Sequence, residues 1–409
     1  MISQSLNDTI TRAGPDTPAG KVLRHYWQPA ALEDELKRGL PLAVNLMGER
    51  LALVKDELNE LKLVTRVARQ DEPVISYPKA HEIAIDPSGP IYPASLNNGI
   101  VFGYLGPGSA PEFPAFDCFR APDTHTFAFK GLWSCNWLQA MEIGIDPAHA
   151  SFLHRFLEDE DPEEGYGKQF RDKAGHTDKP ITQILREYPR PDIDVEETEY
   201  GLKITALRHM DNNTTHVRVT NQIFPAAICI PMSREMMITQ WHVPVDDEHC
   251  YWYTLFTSFQ NPIDKETMRE QRLKEHQLPD YRPLKNKQNN YHYNPQEQAS
   301  QTYTGMGFDI NVHDQWAVEG MGAIQDRTRE HLGRSDVAII RYRRLLRKAI
   351  ASLKEESRIC ELPMLNGIDA GAIKGPLSND AIASTSDWDA ASHQADLERR
   401  AACPWNAVV

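Results

Sequence analysis

Two histidines, His149 and His154, follow an Asp-Pro pair at Asp146-Pro147. Imidazole is the commonest protein ligand for iron, zinc and copper. Asp146 suits a helix N-cap and Pro147 the first helical position, so the spacing predicts a helix starting here. Asp146 and His149, three apart, then share a face. His154 lies off that face at 3.6 residues per turn, and converges with His149 if the helix ends or bulges between them. The competing reading is two ordinary polar residues on an amphipathic helix.

A second chemical cluster, His313-Asp314 with Glu319, lies about 160 residues further on. One carboxylate from it would complete a set of two histidines and one carboxylate. That set leaves open positions on Fe(II) for oxygen and is typical of non-haem iron oxygenases. His313 is a rival ligand and Glu319 a rival carboxylate, and composition does not choose between them. Arg208, His209 and Arg218 lie on strand-like segments where they could hold a substrate carboxylate, or simply be exposed strand charges. Tyr291, Tyr293, Tyr303 and Phe308 could line an apolar pocket, although an aromatic stripe is more often core.

The elements that must position these groups fit an α+β chain. With 409 residues, 41% of them hydrophobic, it is globular and large enough for two or three domains. A formal net charge of −14 argues against nucleic acid or an anionic membrane as the main partner. No apolar run approaches the roughly 20 residues that span a bilayer, and the N-terminus lacks a basic, apolar signal. The six cysteines stand at 118, 135, 229, 250, 360 and 403, with no close pairing. They read as reduced and mostly buried, which implies a cytoplasmic protein.

Residues 1–20 read as a short helix broken at Gly14-Pro15, and roughly 21–112 as a small β domain with loops over 71–95. Residues 181–260 alternate as antiparallel strands, 261–308 read as loops, and Val312 to Leu353 as mostly helix. The run Glu158 to Glu164 reads as a solvated loop. The cluster Arg341-Tyr342-Arg343-Arg344 reads as an exposed helix face, and the tail after Lys354 as a surface wrap.

Residues 136–154 carry N-W-x-Q-x-x-E-x-x-x-D-x-x-H-x-x-x-x-H, and residues 314–346 carry Asp314, Gly322, Asp326-Arg327-Thr328, Glu330-His331-Leu332-Gly333 and Ser335-Asp336. In these motifs the chain resembles the Rieske non-haem iron oxygenases, of the phthalate-dioxygenase oxygenase-subunit type. The resemblance implies a helix-grip-like catalytic domain, an antiparallel sheet with helices, formed by 1–20 and 113–409. It implies a shortened, degenerate Rieske-like domain at 21–112. By the same resemblance His149, His154 and Asp314 hold a mononuclear Fe(II), and Asp146 bridges to a neighbouring subunit. The segment from Leu53 to Leu105 departs from the family, because it contains no cysteine and only one histidine, His81. The [2Fe–2S] cluster, which needs Cys/His pairs, is therefore expected to be absent.

The resemblance implies hydroxylation or demethylation of a small aromatic compound with O2. Electrons would come in trans from a cluster-bearing Rieske subunit and a reductase, in a trimer-based or mixed hetero-hexameric assembly. A non-catalytic structural subunit is the alternative, and a self-sufficient enzyme using a reduced cosubstrate is a third reading.

Overall fold

The computed structural model describes residues 1–405 apart from 38, 158–178, 354–360, 366 and 368. The acidic run from Glu158 and Cys360 thus lie outside the described residues. The chain is a mixed α+β protein built on two antiparallel sheets.

The first sheet runs in the order Gln28–Leu32, Ile100–Gly103, Ile91–Asn97, Leu61–Val67, Glu49–Lys55, Leu42–Leu46, and the short Ala84–Ile85 pairs with Leu61–Val67. Its two outer strands approach each other, so it nearly closes on itself. Residues 91–95, expected to be loop, belong to a strand. Ile91–Asn97 is largely solvent-facing, so it lacks the apolar alternation that marks a half-buried strand.

The second sheet runs Asp192–Thr198, Gly201–Met210, Thr214–Ile223, Ala227–Pro231, Met236–Pro244, Cys250–Ser258, Thr126–Trp133. Its last three strands are buried at every residue, being covered on both faces. At Gly131 a Cβ would lie 2.4 Å from the Trp252 indole on the neighbouring strand, so only glycine lets that ring lie flat. The sheets are tied by backbone bonds from Met47 N–H to the Pro244 carbonyl (2.8 Å) and from Gly48 N–H to that of Val245 (2.9 Å). A buried Lys130–Glu35 ion pair (2.7 Å) adds to this, its ammonium lying over the rings of Tyr251 and Tyr281. One continuous apolar core runs through both sheets.

Three expectations need correcting. Ile181–Glu187 is a helix rather than strand, and the 261–308 stretch contains the helices Lys265–Leu273 and Pro295–Ser300. The tail is no surface wrap. Asp380–Ser384 pairs with Thr214–Ile223 as an eighth strand, and the helix Trp388–Ala402 buries Ser392, Ala395, Asp396 and Arg399. Its buried face is mostly small or charged, so it carries no hydrophobic periodicity to read. Third, within the basic cluster Arg341 and Arg344 are exposed, but Arg343 is 7% exposed and paired with acids. Five cysteines (118, 135, 229, 250 and 403) are free and buried. Among the described residues no helix is long and apolar enough to cross a membrane.

Candidate metal centre

The first helix of the site is Trp137–Gly144, capped by the Asn136 side chain, which accepts the Leu138 N–H (3.1 Å). Each polar residue of the motif anchors it. Asn136 donates to the carbonyls of Thr11 and Asp247, and the Trp137 indole also donates to Thr11. Gln139 donates to the carbonyls of Val318 (2.9 Å) and Gly322 (2.8 Å), at the end of the helix Ile310–Gly320 that carries Asp314. Glu142, 5% exposed, accepts from Arg327 (2.8 Å) and Arg343 (2.5 Å). Gly144 packs on the sheet, where a Cβ would come 2.6 Å from Ile228.

The helix does not continue to the histidines. Pro147 lacks an N–H and disfavours helical backbone at Asp146. The Asp146 carboxylate accepts the Ala148 N–H (2.8 Å), and a separate four-residue helix, His149–Phe152, follows. The helix expected to start at Asp146-Pro147 thus starts slightly later, at His149, and is separate from Trp137–Gly144. His154 lies beyond the second, and this turn swings its ring to within 5.0 Å of the His149 ring, at 82°.

The Nε2 atoms of His149 and His154 lie 3.7 and 3.2 Å from Asp314 Oδ1. The three donor atoms fall within 4.8 Å of one another. Asp314 Oδ1 is buried and accepts no hydrogen bond among the described residues. Burial pushes the Asp314 carboxyl up to about 6 and the His149 imidazolium below its usual range. Burying an unpartnered carboxylate beside two imidazoles is unfavourable unless a cation joins them. The donor set fits a divalent metal of the iron or zinc type.

The other candidates are placed as follows. His149 Nδ1 bonds the backbone carbonyl of Asp146, so the residue orients the ring through its main chain rather than its carboxylate. Burial raises the Asp146 carboxyl above its usual range. His313 is fully buried behind His154, its Nε2 bonded to the Gly307 carbonyl (2.8 Å), and burial pulls its imidazolium down to about 4. Glu319 accepts from Ser134 N–H, Tyr291 Oη and Gln315, and stays away from the triad. Tyr291 is core, while Tyr293, Tyr303 and Phe308 are more than a third exposed.

Beside the triad opens a cavity of about 150 Å³. Its wall includes His149, His154, Asp314, Asp146, Phe156 and the aliphatic Ile228, Ile230 and Ile238. Arg208 and Arg218 line it too. Arg208 is 1% exposed, and its Nη2 donates to the Pro147 carbonyl (3.1 Å) and Ser151 Oγ (3.0 Å), while Nε and Nη1 have no partner among the described residues. Arg218 pairs with Asp380 (2.7 Å), which the C-terminal strand delivers and which also accepts from His216 (3.0 Å). His209 is not brought to the cavity. Strand alternation turns it to the opposite face, exposed and 3.0 Å from Asp192.

Sequence reasoning missed Gln240 and His242, which also line the cavity. They stand two apart on a strand and so face one side, a signal the alternation of 236–245 held. Asp380 gave no signal, since its partners lie far away in sequence.

The chain matches the LigXa C-terminal-domain-like family over residues 103–388. It is 29% identical over 403 residues to the phthalate 4,5-dioxygenase oxygenase subunit of Pseudomonas putida, covering 87% of each chain. It is 27% identical to the tert-butanol monooxygenase / tert-amyl alcohol desaturase oxygenase subunit of Aquincola tertiaricarbonis, over 84% of this chain and 76% of that one. With the 5,5'-dehydrodivanillate O-demethylase oxygenase subunit of a Sphingobium species it shares 26% identity, over 84% and 79%. The chain therefore belongs to the LigXa C-terminal-domain-like family, among the oxygenase subunits of Rieske-type systems.

Proposed function

We propose that this chain is a non-haem iron oxygenase component that hydroxylates or demethylates an aromatic compound, with electrons delivered by partner proteins. The observation that carries the proposal is the meeting of His149, His154 and the unpartnered Asp314 Oδ1 at the wall of a largely apolar cavity. His149, His154 and Asp314 would hold Fe(II), which supplies O2 activation at its open positions. The protein's own groups do the rest. The aliphatic wall holds the substrate ring and excludes water. The backbone carbonyl of Asp146 fixes His149, and the Asp146 carboxylate marks where the electron-donating subunit docks. Residues 21–112 form a cluster-free β domain in this scheme, since Leu53 to Leu105 holds no cysteine. The donor is then a cluster-bearing Rieske subunit fed by a reductase, in a trimer-based or mixed hetero-hexameric assembly in the cytoplasm. The test is metal analysis with reconstitution. The purified chain should carry about one mononuclear iron per two-His-one-carboxylate site, show no Rieske absorption, and turn over only with the donor subunit present. Repeated turnover with reductase alone would overturn the scheme.

Arg208 and Arg218 form the anion-binding side of the cavity. Arg218 is already balanced by Asp380. Arg208 makes no ion pair among the described residues, and burial pulls its guanidinium down only to about 10, so it stays cationic at neutral pH. A ring carboxylate is the group that would satisfy it. A charge-assisted hydrogen bond contributes about 1.5–3 kcal/mol, so Arg208→Met should weaken benzoate binding to the metal-loaded chain by roughly 10–100-fold. Calorimetric titration against an uncharged analogue checks this. Equal loss for both ligands would mean that Arg208 only supports the helix His149–Phe152.

A further inference from the structure

We infer that His313 is a positioning residue for the metal centre: it fixes the tautomer of His154 so that Nε2 is the ligand atom. This rests on the metal reading above. The contacts run in one line. His313 Nε2 lies 2.8 Å from the Gly307 carbonyl, which can only accept, so Nε2 carries the proton. The neutral ring then has a lone pair at Nδ1. That atom faces His154 Nδ1 at 3.4 Å, a long contact that the near-parallel rings (27°, centroids 5.6 Å apart) hold in register. Two bare lone pairs would repel, so His154 Nδ1 bears the proton and donates. The consequence is a lone pair at His154 Nε2, the atom 3.2 Å from Asp314 Oδ1.

His149 reaches the same state by a different route. Its Nδ1 donates to the Asp146 carbonyl, which leaves Nε2 bare, 3.7 Å from the same oxygen. Both ligand histidines thus turn Nε2 toward the place a cation would take beside Asp314 Oδ1, one held by main chain and one by a second imidazole. His313 is fully buried and sits beside Asp314 in the helix Ile310–Gly320. One helix therefore carries both the carboxylate ligand and the group that aims a histidine. The Gly307 carbonyl at the end of the relay sits in a turn where Gly305 (φ 68°) and Gly307 (φ 86°) adopt backbone angles that side-chain-bearing residues rarely take.

The experiment is Co(II) titration of the metal-free full chain, read by its visible d–d bands. His313→Phe keeps the ring but removes both bonds. Losing the residue behind a ligand histidine typically costs about 10–100-fold in metal affinity, and that is the expected loss. His313→Asn places an acceptor near His154 Nδ1 and should recover part of it. Equal Co(II) affinity in parent and His313→Phe would overturn the inference. Absence of Co(II) binding in the parent would instead overturn the metal reading itself. If His313→Phe does not fold, the parent decides alone. With 15N-histidine label and Zn(II) bound, His154 should show a protonated Nδ1 and a metal-bound Nε2, and the opposite assignment refutes the proposal.

Discussion

Asp314→Asn should give a folded chain that retains little iron and forms product only at background level. The amide keeps the shape of the side chain but loses the charge, leaving two neutral imidazoles as donors. Affinity should fall by more than the roughly 10–100-fold typical of losing a residue behind a ligand. Without metal the same substitution acts in the opposite direction. Burial holds the Asp314 carboxyl up to about 6, so between the usual carboxylate range and that value the folded chain keeps a proton that the unfolded chain has released. Stability of the metal-free parent therefore falls as pH rises through that window, by on the order of 2 kcal/mol. Asparagine carries no such penalty. Urea denaturation of the metal-free proteins should find Asp314→Asn the more stable at pH 7, with the advantage gone at pH 4. A variant that loses stability at pH 7 and keeps its iron would contradict both halves of the expectation.

Glu142→Ala should cost about 3–5 kcal/mol of folding stability, the range for breaking a buried ion pair from one side. The Glu142 carboxylate accepts from Arg327 Nε and Nη2 (3.3 and 2.8 Å) and from Arg343 Nε and Nη2 (2.5 and 3.0 Å). After truncation Arg343 keeps Glu330 (2.5 Å), but fully buried Arg327 keeps, among the described residues, Asn7 Oδ1 alone (3.2 Å). Burial alone would raise the Glu142 carboxyl, yet the two guanidinia more than offset it and hold the carboxyl below its usual range. The stabilisation is thus present at neutral pH and drains away as pH falls through that depressed value. Denaturant midpoints across pH measure it. A loss below about 1 kcal/mol would place this network with ordinary surface pairs. Pairing Glu142→Leu with Arg327→Met should recover part of the loss, since an apolar replacement of a buried pair removes the stranded charge.

What could be read from the sequence divides along physical lines. Apolar and β-branched runs over 201–220 and 236–256 mark strands, the second pair being buried on both faces and so without alternation. The spacing His149 to His154 marked a place where a helix would end or bulge, and of the two the chain ends its second helix at Phe152. Asp146 reads as the cap of the helix that follows, but its carboxylate closes the turn at Ala148 and the helix begins only at His149. Arg343 misled because a run of basic residues does not say which of them finds a buried acid. Asp380 and the Glu142 clamp depend on partners more than 150 residues away. His209 beside Arg208 shows the opposite case, since a charge on a pocket strand reaches the pocket only at alternate positions.

The C-terminal strand carries a consequence for synthesis. Asp380, the acid that holds Arg218 at the cavity wall, follows Asp314 in sequence. A nascent chain that has already delivered His149, His154 and Asp314 still lacks it. The three candidate ligands are therefore synthesised before the residue that balances Arg218 is added. A chain ending between Asp314 and Asp380 would hold all three candidate ligands yet leave Arg218 without its counter-charge.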